Sequence, residues 1–387
     1  MREIDRLTEV VARRLALDLT ARGPAAAAEI FGEELRRLGA AAERGAPLER
    51  QVLVAGGSGY VGSVLIGALL AHGWKVRCLD NLCYGTGGAV APFLNNPDFS
   101  FFEGDIRSED ALAQALPGVT DVVLLASLVG DPISKKYPQL TRDVNLAGSI
   151  NVWRAARRAG VGKLVFTSTC SNYGIVPGGA LADEETELNP KSIYAETKVA
   201  FERHLLQNPD EVASPTVLRL ATAFGLSPRM RFDLTVSEFT REVALGRPLM
   251  VYDEDTWRPY CHVDDIARAI IAVLEAPEGK VRGEVFNVGC EANNFTKRML
   301  VDELLRVFPA AKVEYGVGGG DPRDYRVSFA KIAGALGFAP RQTVPGAIGA
   351  LARAIAGGLY DDVEERANYY GNRSIAETAV AFEGVAA

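Results

Sequence analysis

The chain has few of the residue types that build metal sites and disulfide frameworks. Its 387 residues include five cysteines and three histidines. The cysteines, at 78, 83, 170, 261 and 290, form no CxxC pair and are odd in number. They read as reduced thiols, which excludes a disulfide scaffold and a zinc site. Long basic runs are absent and the net charge is −7, which excludes nucleic-acid binding as the main activity, since phosphate neutralisation needs a positive surface. No apolar stretch approaches the roughly 18 residues that span a bilayer. The opening MREIDRLTEVVARR mixes acids and bases and lacks the apolar run of a signal peptide. The expectation is a soluble, cytoplasmic protein with no metal, no nucleic acid and no membrane partner. Its 39 glycines and 19 prolines are too few and too scattered for a disordered or collagen-like chain. What is plentiful is apolar: 48% hydrophobic against 24% charged, in a length that holds one large α/β domain or two ordinary ones.

Residues 1–48 are rich in Ala, Arg and Glu, with a break at Gly23-Pro24. Ile4, Leu7, Val11 and Leu15 fall at helical spacing, as do Ala27, Ile30, Phe31, Leu35 and Leu38. This predicts an N-terminal helical extension. From Gln51 the pattern changes to short apolar runs, QVLVA, KVRCLD, FSFFEGD, DVVLLAS, KLVFTS, PTVLRLA and EVFNVG, mostly separated by segments long enough for helices. Buried strands alternating with crossover helices predict a doubly wound parallel sheet covered on both faces. After Gly225 the alternation loosens. The expected organisation is a main domain at 49–225 and a smaller C-terminal substrate lobe at 226–387. The two are interleaved, because 263–289 returns to the main domain.

Gly56, Gly59 and Gly62 follow the first strand in GGSGYVG and open a helix. A glycine turn there lets a pyrophosphate approach the backbone at a helix N-terminus, which favours anions. Asp80 ends the second strand, near the spacing at which a carboxylate accepts the ribose hydroxyls and repels a 2′-phosphate. No Arg or Lys follows it, so NAD is favoured over NADP.

Tyr194 and Lys198 stand four apart in SIYAETK on a predicted helix and share one face. An ammonium beside a phenol stabilises the phenolate, so the pair predicts a tyrosine whose pKa is drawn down from ~10 and which acts as acid and base on a hydroxyl. Such pairs are common on helices. This one gains weight from VFTSTCSNYG, at the end of a predicted strand, where Ser168 and Thr169 can place a hydroxyl beside the Tyr oxygen.

With these pieces in place, the chain resembles the extended short-chain dehydrogenase/reductases, particularly nucleotide-sugar epimerases of the UDP-galactose 4-epimerase type. The resemblance runs from about Gln51 to Pro340 and rests on GGSGYVG, LDNL, GDI, LLAS, DVNLAG, TSTCSNYG, YAETK, RPYCHVDDIARAI, FNVG and DPRDYRVSFAKIAGALGFAP. It implies a Rossmann domain holding NAD. Thr169, Tyr194 and Lys198 would form the catalytic set, with Tyr194 and Lys198 also touching the cofactor. Gly56, Gly59, Tyr60, Val61, Gly62, Asp80, Asn81, Asp105, Ile106, Leu125, Ala126, Asn145 and Thr167 would line the cofactor. Arg258 and Arg323 match arginines that hold the substrate diphosphate, a task suited to guanidinium geometry. Ser171, Thr222 and Arg231 join them as candidates for substrate binding, and Arg229 is a further anion candidate.

The residues after Thr169 discriminate between chemistries. Related dehydratases and decarboxylases carry acids there, whereas this chain has Cys170 and Ser171. The expectation is therefore a redox-neutral epimerase acting at C4 of a nucleotide-diphosphate sugar. The alternative is a dehydrogenase or ketoreductase that consumes NAD(H). Thr222 and Glu238 stand where many relatives have Asn, which points to a sugar pocket unlike that for UDP-galactose. Cys170 reads as a core residue and His262 as a hydrogen-bonded structural histidine. A homodimer through the Tyr194 helix is expected by resemblance.

Overall fold

In the first strand, Val52 and Val54 face one way and Leu53 and Ala55 the other, and all four are fully buried. Only a strand covered on both faces needs such an unbroken apolar run. A computed structural model of the chain describes residues 50–176, 179–208, 213–319, 321–376 and 380, so the helical extension expected at 1–48 lies outside the described residues.

The strands in chain order begin with β1 (Gln51–Ala55), β2 (Lys75–Asp80), β3 (Phe99–Glu103), β4 (Asp121–Leu124), β5 (Lys163–Thr169), β6 (Leu181–Ala182) and β7 (Ser214–Leu220). They continue with β8 (Thr222–Phe224), β9 (Leu249–Tyr252), β10 (Trp257–His262), β11 (Val285–Val288), β12 (Asn294–Thr296), β13 (Val313–Gly316) and β14 (Arg326–Val327). The helices begin with α1 (Tyr60–Ala71), α2 (Glu109–Ala115), α3 (Asp131–Lys136), α4 (Pro138–Arg142), α5 (Ser149–Arg158) and α6 (Ile193–Leu206). They continue with α7 (Thr235–Ala244), α8 (Val263–Glu275), α9 (Lys297–Val307), α10 (Ala330–Leu336) and α11 (Val344–Ala356).

Seven strands form one sheet in the order β3-β2-β1-β4-β5-β7-β11, with every neighbouring pair parallel. These are the seven apolar runs of the sequence. Val52, Val54, Val76, Val165 and Phe286 pack beneath α1 and α8 through Leu65, Ile66, Ile266 and Ile270. Leu53, Leu79, Leu124 and Phe166 pack on the other face against Leu112, Val152, Phe201 and Leu205. The strand order reverses at β1, so a crevice opens beyond the carboxyl ends of β1 and β4, where doubly wound sheets bind ligands.

A smaller group of elements stands apart from the sheet. β8 and β10 run parallel, β12 pairs antiparallel with β10, and α7, α9 and α11 enclose a separate core of Phe224, Phe239, Leu300 and Ile348. The segment from α8 to β11 belongs to the large sheet. The run TRDVNLAGSINVWRAARRAG takes in the end of α4, a π-helical turn at Asp143–Gly148, and α5. A π-helical turn inserts an extra residue into the ladder and commonly marks a functional position. Here it carries Asn145.

Candidate active site

The first βα turn is shaped by close approach. Gly56 has φ +86°, and a Cβ on it would stand 2.5 Å from the Ala126 nitrogen. A Cβ on Gly62 would stand 2.4 Å from the Gly56 oxygen. Gly57, which the sequence motif does not single out, is equally constrained, since its Cβ would meet Cys78 Sγ at 2.5 Å. The N-cap of α1 is Gly59, with no side-chain cap and no acid in the first turn. Its leading N–H groups are thus suited to an anion.

Asp80 ends β2 with one carboxylate oxygen accepting from the Ser58 N–H and the other from the Leu82 N–H, both at 2.9 Å. The second bond helps hold Leu82 at φ +53°. Burial raises the Asp80 pKa against those two bonds. Asn81 Nδ2 donates to Asp105 at 2.8 Å, and Arg107 grips Asp105 through Nε and Nη2 at 2.9 and 2.8 Å. Although burial alone would raise it, the Arg107 bonds hold Asp105 below the ordinary carboxylate value. With Ile106, Leu125, Ala126 and Thr167 these groups line a cavity of about 1000 Å³. The glycine cradle, the uncapped helix end and the two carboxylates fit NAD.

Asn145 is buried, and its side chain is bonded within the protein. Its Oδ1 accepts the Leu128 N–H at 2.8 Å, and its Nδ2 donates to the Leu128 carbonyl at 3.1 Å and to Thr197 Oγ1 at 3.3 Å. Its amide therefore braces the loop after β4 from behind, and the cofactor side of that wall is built by Leu125 to Val129.

Farther along the same cavity, Thr169 ends β5 and its hydroxyl lies near enough to Tyr194 to favour the phenolate. Helix α6 starts at the Ser192 cap, whose hydroxyl accepts from the Ala195 N–H. Tyr194 and Lys198 thus lie one turn apart. Lys198 Nζ donates to the Thr167 carbonyl at 2.8 Å and sits 5.9 Å from the Tyr194 ring centre. The expected lowering of the tyrosine pKa is not what the protein's own groups produce. Burial pushes Tyr194 up to about 12, against the influence of the Thr169 hydroxyl and the charges of Arg231 and Arg323. Burial also pulls Lys198 down to about 7, with Glu202 acting in the other direction. A buried ammonium close to neutrality is a weaker partner for a phenolate than sequence spacing implies.

Arginines of the cavity are engaged by acids of the protein. Arg258 and Arg323 both line the cavity, but Asp321 lies between them. Its Oδ2 is 2.9 Å from Arg258 Nη2 and 2.7 Å from Arg323 Nη2, while Arg323 Nε donates to Oδ1 at 2.8 Å. Arg323 also reaches Ser171 Oγ at 3.1 Å and Asp131 Oδ2 at 3.3 Å. Arg231 also lines the cavity and is held by Asp233 through two bonds of 2.9 and 2.5 Å. Arg229 donates to Asn372 at 2.7 Å and has its Nε buried without a partner. Thr222 lines the cavity. Burial and the nearby acids Asp233 and Glu242 raise the Glu238 pKa.

Cys170 faces away from the cavity, its Sγ donating to the Arg219 carbonyl at 3.2 Å, and burial raises its pKa. His262 caps α8, Nδ1 accepting from the Asp264 N–H at 3.2 Å, and no metal-binding cluster occurs among the described residues.

The sequence motifs miss one element of the site. The segment after α11 crosses it: Phe232 N–H donates to the Tyr370 carbonyl at 2.8 Å, Asn372 Nδ2 to the Val129 carbonyl at 3.1 Å, and Ala376 N–H to the Cys83 carbonyl at 3.0 Å. Asn372, Arg373 and Ile375 line the cavity. They lie beyond Pro340, where the resemblance ends, and only the cluster of Tyr369, Tyr370 and Asn372 hints at them.

The comparisons with known proteins agree with this arrangement. Residues 52–289 match the NAD dependent epimerase/dehydratase family. A UDP-glucose 4-epimerase from Corynebacterium glutamicum is 30% identical over 315 residues, 76% of this chain and 92% of the relative. A dTDP-glucose 4,6-dehydratase from Streptomyces niveus is 30% identical over 330 residues, 81% of this chain and 92% of the relative. Among solved structures, the Thermus thermophilus UDP-glucose 4-epimerase complex with NAD is 29% identical and covers 79% of this chain and 99% of that one, with a TM-score of 0.69. The chain belongs to the NAD-dependent epimerase/dehydratase family.

Proposed function

We propose that this family member is a nucleotide-sugar epimerase that oxidises a ring hydroxyl at C4 and reduces the resulting ketone from the opposite face. The observation that carries the reading is the Thr169, Tyr194 and Lys198 group beside the cavity, with no carboxylate in the two positions after Thr169. Elimination of water needs an acid there. Cys170 is turned into the core and Ser171 is bonded to Arg323.

Gly56, Gly59, Tyr60, Val61, Gly62, Asp80, Asn81, Asp105, Ile106, Leu125, Ala126 and Thr167 would hold NAD, which when bound would supply a hydride acceptor and a positive charge. Tyr194 takes the proton from the sugar hydroxyl and returns it after the ring turns over. Thr169 would hold the reacting oxygen through its hydroxyl, and Lys198, linked to the Thr167 carbonyl, would help hold the cofactor. Arg258 and Arg323 hold the diphosphate once it displaces Asp321, and Thr222 and Ser171 complete the sugar pocket. The protein works as a cytoplasmic homodimer through the α6 face, and no described helix is long and apolar enough to cross a membrane.

Two measurements test the reading. The first is to purify the protein without added cofactor, denature it, and quantify the NAD released. The second is to incubate it with UDP-glucose or UDP-galactose and look for interconversion. Near-stoichiometric NAD with interconversion supports the epimerase. Cofactor that is consumed, with a net oxidised or reduced product, moves the dehydrogenase or ketoreductase ahead. A 4-keto-6-deoxy product would sink the argument from Cys170 and Ser171.

A further inference from the structure

The segment after α11 is tied to the loops on either side of the glycine turn. In the sheet, β1 lies between β2 and β4. The loop after β2 carries Cys83, the turn after β1 carries Gly56 and Gly59, and the loop after β4 carries Val129. Asn372 Nδ2 donates to the Val129 carbonyl at 3.1 Å, and the Ala376 N–H donates to the Cys83 carbonyl at 3.0 Å. One short stretch is thus fastened to both neighbours of β1, and the glycine turn lies between the fastenings. The lengths agree. Strands two places apart are separated by about 10 Å, and four residues of extended chain reach about 13 Å.

Each end is anchored further. Tyr369 Oη donates to the Pro228 carbonyl at 2.8 Å, and Tyr369 and Tyr370 share an apolar cluster with Tyr60, the first residue of α1. Asn372 Oδ1 accepts from Arg229 Nη2 at 2.7 Å, and the Asn372 N–H donates to Asp233 at 3.3 Å. At the other end Ile375 is buried in the cluster that holds Ile106 and Leu128, with Cys83 packed against it.

The stretch 372–376 is neither helix nor strand, so these bonds extend no helix or sheet. What they enclose is the cavity: Asn372 and Ile375 line it together with Gly59, Asp80 and Thr167. The stretch also lies outside residues 52–289, which match the family.

We propose that residues 369–376 are part of the cofactor site, a strap that closes the dinucleotide crevice between the β2 and β4 loops and keeps NAD resident, with Asn372 as its central fastening. This rests on the NAD site and adds to the epimerase reading a means of retaining the cofactor between turnovers. A dinucleotide lying along the crevice leaves when the strap opens, so the strap bonds set the rate of release, as closing loops do elsewhere. Asn372 is a positioning residue. It holds the strap shut from the Val129 side, and the Ala376 N–H holds it from the Cys83 side.

The test uses the full-length, NAD-loaded protein. Bound NAD is exchanged against an excess of isotopically labelled NAD and the bound pool is followed by mass spectrometry. UDP-glucose binding and the unfolding midpoint are measured on the same samples. Asn372→Ala removes two side-chain bonds, one of them to a guanidinium, and the expected result is NAD exchange about 10- to 100-fold faster. Ala376→Pro removes the N–H at the exposed end of the strap, and exchange should be about 3- to 10-fold faster. With NAD resupplied, both variants should bind UDP-glucose as the unaltered protein does. Exchange unchanged in the two folded variants overturns the strap, and so does weaker UDP-glucose binding with unchanged NAD exchange, which would assign the segment to the sugar end. If Asn372→Ala fails to fold, Ala376→Pro decides by the same readout. None of these outcomes touches the epimerase reading, which stands or falls on interconversion of the UDP-sugars.

Discussion

Glu202 Oε2 lies 2.9 Å from Arg219 Nη2, and both side chains are almost fully buried behind the strand that ends in Thr169. The pair is not isolated. Ser168 Oγ donates to Glu202, Asn172 Nδ2 donates to it at 2.8 Å, and Arg219 reaches on to Tyr173 at 3.1 Å. Glu202 stands one helical turn beyond Lys198 and is the carboxylate that opposes the loss of its charge. One acid therefore anchors the residues flanking Thr169 and supports the ammonium beside Tyr194.

Replacing that acid by an amide separates the two roles. Glu202→Gln leaves Arg219 buried without its counter-charge, which costs about 3–5 kcal/mol when one partner of a buried pair is removed. Denaturant unfolding should show that loss. Lys198, which burial already pulls down to about 7, falls further without Glu202. Turnover at neutral pH therefore drops in the folded variant while NAD remains bound. A variant with wild-type pH dependence would mean that Glu202 serves the fold alone.

The Thr169 hydroxyl is the main group acting against the burial that raises Tyr194. Thr169→Val removes it, so the phenol pKa climbs and the alkaline rise in activity moves to higher pH. The expected fall in turnover is about 100-fold with a small change in KM, and Thr169→Ser should restore most of it. Tyr194→Phe should abolish turnover while retaining NAD. Appreciable turnover in that variant would remove Tyr194 from the chemistry.

Asp321 occupies the position between Arg258 and Arg323 where a diphosphate is expected. Burial alone would raise its carboxyl, yet those two arginines hold it well below the ordinary range. On the proposed reading, a substrate diphosphate displaces it. Asp321→Asn should lower the KM for a UDP-sugar about 3- to 10-fold and steepen its dependence on salt, because the freed arginines bind phosphate more strongly. A raised KM would show that Asp321 positions the arginines for the substrate instead.

Acid stability should report the Arg231–Asp233 pair. Burial works against the Asp233 charge, yet Arg231 and then Arg229 draw its pKa down to about 2 from 3.8. A depressed carboxylate pKa stabilises the fold above the unfolded value, and that contribution is lost as the pH falls through the folded one. The window is therefore about pH 4 to 2, with a size of about 2 kcal/mol, discounted for partial exposure. Unfolding measured across that window should be less steep in Asp233→Asn. An unchanged profile would locate acid sensitivity elsewhere.

The amino-acid sequence by itself determined the parallel sheet, the glycine turn and the Tyr194–Lys198 helix face. Each is a local property. A strand buried on both faces must be apolar throughout, a tight approach admits only glycine, and residues four apart share a helix face. The tertiary structure alone decided what the charged groups do. Asp321 and Asp131 are far apart in the chain yet grip the same guanidinium. Asn145 sits within a recognisable motif but braces the wall from behind, because the π-helical turn places its amide against Leu128. The segment after α11 closes the cavity through backbone bonds that leave little pattern in the sequence. The Tyr194 pKa follows the same rule. Spacing predicts an ammonium nearby, whereas burial, which depends on the packing of the whole site, decides that the phenol is raised and the ammonium lowered.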